Sequence, residues 1–225
     1  AWYGIPNFSY TNCLKNLDMH INFINNIYQV SSIKKIIMTG SCWEYPDNAG
    51  RCKEIDTVKL NSFFSWAKNS IYNYYKIISR MKGIKLVWFR IFFVYGQYQK
   101  KNSLIPSVIN SLKNLKKPNI LNPLNKNDFI YIDDVCRAIM VSIKKKNIDG
   151  VFNVGSGYTS TVEGIYNKIL LKMGKRNINF QLKKKKFKKT KTNFADLKKI
   201  SKELNWHPKI NIDTGLVKMI NFYNG

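Results

Sequence analysis

The chain has 225 residues, 44% of them hydrophobic and 14% aromatic, with 38 Lys and Arg against 13 Asp and Glu for a formal charge of +25. This apolar content excludes a disordered tail, and the length suits one large or two small domains. The longest apolar runs fall far short of the ~18 residues that a membrane-spanning helix needs, which excludes insertion.

The sequence opens on Ala1-Trp2-Tyr3-Gly4 without Met, as a chain whose first residues lie upstream. Leu14, Leu17, Ile21, Ile24 and Ile27 recur at three- and four-residue spacing and predict an amphipathic helix over 12–30, with Thr11-Asn12 at its N-cap. A β-rich run over 33–39 ends at Gly40-Ser41, as a strand of a buried parallel sheet does. Phe64, Ala67, Ile71, Tyr75 and Ile78 place a second long helix over 61–81, and 84–94 reads as the next strand. This alternation is the pattern of a parallel α/β sheet with right-handed crossovers. Beyond Tyr95-Gly96 follow a helix over 103–115, a Pro- and Asn-rich loop over 118–127 and a strand over 128–132. Asp133-Asp134 is expected to cap a helix over 135–145. A strand over 151–154, a helix over 162–174 and a final helix over 215–223 complete the chain, with no internal repeat.

Net charge invites a nucleic-acid reading, because clustered Lys neutralises phosphates. Lys, Asn and Ile are abundant throughout, however, as under a genome-wide codon bias, and no aromatic-interleaved basic motif or helix-turn-helix signature accompanies them. The dense run at Lys183 to Lys186, Lys188 and Lys189 is the exception to the even spread: an anion-binding segment or a solvated loop. Cys13, Cys42, Cys52 and Cys136 form no C-x-x-C pair, and only His20 and His207 could join them, so neither a metal site nor a disulfide framework is expected. Reduced thiols in a cytoplasmic protein are the simplest expectation.

Five stretches occur in a telling order: Gly40-Ser41-Cys42-Trp43-Glu44-Tyr45, Arg90-Ile91-Phe92-Phe93-Val94-Tyr95-Gly96, Asn127-Asp128-Phe129-Ile130-Tyr131-Ile132-Asp133-Asp134-Val135, Phe152-Asn153-Val154-Gly155-Ser156-Gly157, and Ala195-Asp196 with Leu204-Asn205-Trp206-His207-Pro208. Together they resemble the extended short-chain dehydrogenase/reductases that act on nucleotide sugars, the epimerase/dehydratase family, nearly end to end. Within it, the first two look most like bacterial NDP-hexose reductases and epimerases of the CDP-abequose synthase kind. The resemblance implies an α/β fold: residues 1–97 as the C-terminal part of a Rossmann-like NAD(P)-binding sheet, and 98–225 mainly as a smaller α+β substrate subdomain, with 128–154 returning to the sheet. It implies a nucleotide-sugar substrate, NAD or NADP, and a homodimer through the helices over 12–30 and 61–82.

The family's chemistry needs a Tyr that moves a proton to or from a sugar oxygen, a Ser or Thr that hydrogen-bonds that oxygen, and a Lys that lowers the Tyr pKa and holds the nicotinamide ribose. By resemblance Ser41 is the Ser and Lys68 the Lys, with Phe92 also at the cofactor. The family's Y-x-x-x-K places the Tyr at position 64, where this sequence has Phe64, which has no proton to give. Tyr72 with Lys76 satisfies the pattern as an outside candidate, but lies about 12 Å further along the helix. On the substrate side, the family's phosphate-contacting Asn is Phe93 here and its Arg before D-F is Asn127; Lys126 and Lys186 are the expected replacements. Leu104-Ile105-Pro106 matches the segment that lines the nucleobase. The glycine-rich pyrophosphate turn that follows a first strand is not in this sequence, so the adenosine half of the cofactor site is expected upstream of residue 1. Two alternatives stand beside the enzyme: a catalytically silent nucleotide-sugar-binding paralogue, favoured by Phe64, Phe93 and Asn127, and a basic nucleic-acid binder, favoured by charge alone.

Overall fold

A computed structural model describes residues 2–30, 32–47, 49–175 and 192–224. In chain order these form α1 (Tyr10–Val30), β1 (Lys35–Thr39), a 3-10 turn (Cys42–Glu44), β2 (Gly50–Cys52), α2 (Phe63–Lys82), β3 (Lys85–Ile91) and β4 (Phe93–Tyr95). There follow α3 (Leu104–Lys113), β5 (Lys126–Asn127), β6 (Phe129–Tyr131), α4 (Ile132–Lys144), β7 (Gly150–Val154), β8 (Ser160–Thr161), α5 (Val162–Lys172), β9 (Thr192–Ala195), α6 (Lys198–Leu204) and α7 (Ile212–Asn224).

Strands β1, β3 and β7 make a parallel sheet with β3 at its centre. Side chains alternate across a strand, and β3 is apolar on both faces, so both must be covered. Leu86 and Trp88 pack with Ile24 of α1 and Ile71 and Tyr75 of α2; Val87 and Phe89 pack with Val135 and Ala138 of α4 and Ile200 and Leu204 of α6. A second sheet has the order β2-β9-β5-β8 and draws its strands from four separate parts of the chain; β4 and β6 form a parallel pair. A third core joins α3, α5 and α7 through Ile109, Leu112, Ile165, Ile169, Leu216 and Met219.

Several boundaries differ from those expected, for local reasons. Helix α1 starts at Tyr10 with Ser9 in the capping position, its Oγ accepting from Asn12 N at 3.4 Å. The Asn12 amide instead donates back to Tyr3 O and Asn7 O. The expected strand over 84–94 divides at Phe92, where the chain leaves β7 and pairs with β6: Phe92 N donates to Val154 O and Phe93 N to Asp128 O. Asp133 and Asp134 lie inside the first turn of α4 and cap nothing, because the helix already begins at Ile132 with Tyr131 as N-cap. Asp134 Oδ2 accepts from the backbone N–H groups of Lys209 and Ile210, and its other oxygen pairs with Arg137, fastening α4 to the C-terminal segment. Helix α7 starts before residue 215, since Asn211 Oδ1 caps it by accepting from Thr214 N at 2.9 Å. Lys186 and the surrounding lysine run lie outside the described residues.

Candidate active site

The C-terminal end of β1 turns sharply at Gly40. A Cβ there would lie 2.2 Å from Trp88 Nε1 and 2.4 Å from Glu44 Oε1, so only glycine allows the approach. Beyond it, Ser41 caps the 3-10 turn: its Oγ accepts from Trp43 N at 3.2 Å, and its backbone N donates to Glu44 Oε1 at 2.9 Å. Glu44 is fully buried and also accepts from Trp88 Nε1 at 3.1 Å and Arg90 Nε at 2.9 Å. Arg90, 3% exposed, lies with its Cζ 4.7 Å from the Tyr45 ring centre. The Tyr45 hydroxyl donates to Asn153 Oδ1 at 2.7 Å, and burial pushes its pKa up, so Tyr45 is locked and protonated. Sequence reasoning passed over Glu44, although the S-x-x-E spacing of a capping box was visible at Ser41 to Glu44.

Helix α2 brings Lys68 to the same strand end, where Nζ donates to Thr39 O at 2.8 Å, two residues before Ser41. One of three ammonium donors is thereby used. The amine also lies 5.0 Å from the Trp2 ring centre. Burial lowers the Lys68 pKa to about 8, with Glu44 acting in the opposite sense. Burial, then the Lys68 charge, lowers His20 to about 4. Since the folded Lys68 binds its proton less tightly than the unfolded one, stability rises with pH from about 8 toward 10.5. Competitive acylation is expected to give Lys68 a reactivity midpoint near 8; a midpoint with the surface lysines would mean that the amine is not buried.

Phe64 sits one turn before Lys68 within an aromatic cluster. Its ring centre lies 4.6 Å from Phe8, 5.0 Å from Trp2 and 5.6 Å from Trp43. Tyr72, two turns further on, packs against Trp88 at 5.2 Å and belongs to the core between α1, α2 and the sheet.

A cavity of about 350 Å³ adjoins the Ser41 turn. Phe93 and Asn127 line it, together with Cys42, Trp43, Tyr45, Asp47, Asn61, Ser62, Asn122, Asn125 and Asn193. Two positions that the sequence put on the substrate side are thus brought together beside the Ser41 turn. Others are not: Ile105 and Pro106 are buried in α3, with Ile105 in the core shared with α5 and α7 and Leu104 packed against it. The Phe92 ring is buried with Cys42, Tyr45, Cys52 and Ala195. Lys126 is exposed on β5. The four cysteines are free, and among the described residues no group of His, Cys, Asp and Glu could hold a metal ion. Lys68 and Ser41 fit the nicotinamide-ribose end of a dinucleotide, the buried amine keeping two N–H donors beyond Thr39. The described residues contain no glycine-rich turn for the adenosine end.

Residues 10–155 match the model of the NAD dependent epimerase/dehydratase family. The chain is 27% identical over 217 residues to dTDP-4-dehydro-6-deoxyglucose reductase of Escherichia coli, covering 92% of this chain and 67% of that protein. It is 35% identical over 74 residues to CDP-abequose synthase of Salmonella muenchen, covering 33% of this chain and 25% of that protein. Among solved structures, UDP-glucuronic acid 4-epimerase from Bacillus cereus in complex with UDP-glucuronic acid and NAD superposes with a TM-score of 0.84 at 23% identity, over 94% of this chain and 68% of that one. The chain therefore spans about two thirds of the reductase and of the epimerase, and a quarter of the synthase.

Proposed function

The chain belongs to the NAD dependent epimerase/dehydratase family, and from that premise we propose that it is the substrate-binding and catalytic portion of an NAD(P)-dependent enzyme that epimerises, dehydrates or reduces a nucleotide sugar. The observation that carries this reading is the bond from Lys68 Nζ to Thr39 O, which sets Lys68 beside Ser41 at the end of β1. The dinucleotide, when bound, would supply hydride exchange with a hexose carbon. Ser41 Oγ, which accepts from Trp43 N, donates a hydrogen bond to the reacting sugar oxygen, and Glu44 fixes its backbone N–H. Lys68 holds the nicotinamide ribose and contributes positive charge. The diphosphate and sugar occupy the cavity between Phe93, Asn127 and Asn193. We assign residues 1–97, joined by 128–154, to the Rossmann-like sheet that would carry the cofactor and that lends Ser41 and Phe93 to the substrate, and the rest of 98–225 mainly to the substrate subdomain.

Phe64 favours a second reading, binding without turnover, because no hydroxyl stands where the family has its proton carrier. The same proposal makes the protein a cytoplasmic homodimer. Exposed Leu14, Met19 and Phe23 on α1, with Phe63, Ile77 and Met81 on α2, supply apolar surface for a partner copy, and the free thiols suit a reducing compartment. Among the described residues no helix is long and apolar enough to cross a membrane.

Calorimetric titration with UDP-glucose, dTDP-glucose and CDP-glucose is expected to give saturable binding for at least one of them, weakening as salt rises. Heat from none of the three would overturn the proposal. Sedimentation at the same concentrations reads the oligomeric state, and a monomer throughout would remove the dimer from it.

A further inference from the structure

One wall of the cavity carries a side chain that the fold leaves without a use. Asn122 lines the cavity, yet its Oδ1 is closed off from solvent and has no hydrogen-bond donor. Asn193, which also lines the cavity, is different: its Nδ2 donates to Pro46 O at 2.8 Å and its Oδ1 accepts from Ala49 N at 2.9 Å. Asn193 is therefore explained by the fold and Asn122 is not.

The backbone around Asn122 is fixed. Asn125 N donates to Asn122 O at 3.3 Å, and the first N–H groups of α5 anchor the loop, Glu163 N on Pro123 O at 2.9 Å and Val162 N on Asn125 O at 3.0 Å. Pro123 is buried, and Ile120 belongs to the core. Asn122 itself is partly exposed, so its Oδ1 alone lacks both water and a donor. A buried acceptor left in this way is rare in native proteins and is costly unless a ligand completes it. With no hydrogen bond holding its oxygen, the amide is free to turn about its terminal torsion toward a donor that enters the cavity.

We propose that Asn122 is a specificity-determining residue of this cavity: its Oδ1 accepts a hydrogen bond from an O–H or N–H of the nucleotide sugar. The inference rests on the nucleotide-sugar reading above. A carbonyl oxygen only accepts, so ionised phosphate and carboxylate oxygens, which have no proton to give, are poor partners for it. In a nucleotide sugar the matching donors are the hydroxyls of the hexose and the N–H groups of the base. The cavity thus favours a ligand that places a donor at this point over one that places no polar group there.

The test compares the wild-type chain with Asn122→Leu, which keeps the branching and the heavy-atom count of the side chain and removes both polar ends. The variant should bind the best of UDP-glucose, dTDP-glucose and CDP-glucose about 10-fold more weakly, the size of one lost hydrogen bond. Its unliganded melting temperature should be unchanged or higher, because an uncompensated acceptor has been removed. Monofluorinated analogues, in which each sugar hydroxyl in turn is replaced by fluorine that cannot donate, identify the source. If the donor is a hydroxyl, one analogue should bind the wild type about 10-fold more weakly than the parent sugar and bind Asn122→Leu no more weakly than the parent. If the donor is on the base, the free nucleoside diphosphate should show the same loss in the variant as the full ligand. Equal affinity of variant and wild type for both ligands would overturn the inference while leaving the proposed function standing. A lowered melting temperature would also overturn it, by showing a structural role for the amide. No binding by the wild type would overturn the proposed function and this inference with it.

Discussion

Turnover is expected to rise about 100- to 10,000-fold when Phe64 is replaced by Tyr in a chain that carries a glycine-rich dinucleotide turn ahead of residue 1, the usual worth of a positioned general acid or base. The new hydroxyl would enter a cluster in which Phe64 is 8% exposed and touches Trp2, Phe8 and Trp43. One turn away the Lys68 ammonium favours the ionised phenol, so the Tyr pKa should fall toward the working range. The substitution adds a single oxygen, and an unpartnered hydroxyl in that cluster would cost about 1–3 kcal/mol; the melting temperature of Phe64→Tyr reports this directly. Tyr72→Phe is the control. Tyr72 packs on Trp88 rather than beside Phe64, so losing its hydroxyl should leave turnover alone. Abolition of activity by Tyr72→Phe, with no response to Phe64→Tyr, would move the proton carrier to Tyr72 with Lys76. Indifference to both changes would favour binding without turnover.

The largest stability effect is expected at Glu44. Its carboxylate has no solvent exposure and is held by Arg90 Nε at 2.9 Å, Trp88 Nε1 at 3.1 Å and Ser41 N at 2.9 Å. Glu44→Ala leaves the Arg90 guanidinium buried without its partner, at 4% side-chain exposure, together with two unsatisfied N–H groups. Breaking one side of a buried pair in this way costs about 3–5 kcal/mol. Urea denaturation of the variant measures it, and a loss below ~1 kcal/mol would mean that water reaches the pair. Replacing Glu44 and Arg90 together by apolar residues should recover part of the loss, because the uncompensated charge is then gone. Stability and function separate here: the double variant should refold with Ser41 less well fixed, since the carboxylate that accepts from its backbone N is absent.

Most of the sheet and its helices was legible because long periodic segments carry their own signal. Five apolar positions at helical spacing mark α1, and β3 is buried on both faces over Leu86 to Arg90, which leaves little else for it to be. What was not legible lies in short elements stabilised by distant partners. Residues Gly50–Cys52 and Thr192–Ala195 have no periodicity to read, and are strands only through distant pairings, β2 with β9 and β9 with β5. Asp133-Asp134 looked like a cap because helix-starting acids commonly are, but the tertiary demand of the Lys209 and Ile210 N–H groups claims Asp134. At the site, Ser41 and Lys68 were readable as a motif, whereas the clamp on Ser41 required knowing that Trp88, Arg90 and Glu44 meet. Asn122 was one Asn among many until the cavity set it apart.

The sheet β2-β9-β5-β8 has a kinetic consequence. Its pairings of β9 with β5 and with β2 join residues separated by more than 60 and more than 140 positions. Chain closure over such distances must be completed before the contacts reward it, so this sheet assembles late, after the locally connected helices and hairpin-free βαβ core. The cavity borrows Asn127 and Asn193 from its central strands. The proposed ligand binding would therefore read out the last folding event: a partly folded chain can hold β1, α2 and β3 in place and still have no cavity. A saturating ligand should slow opening of β2, β5 and β9 in hydrogen exchange more than that of β3, whose protection reports global unfolding alone.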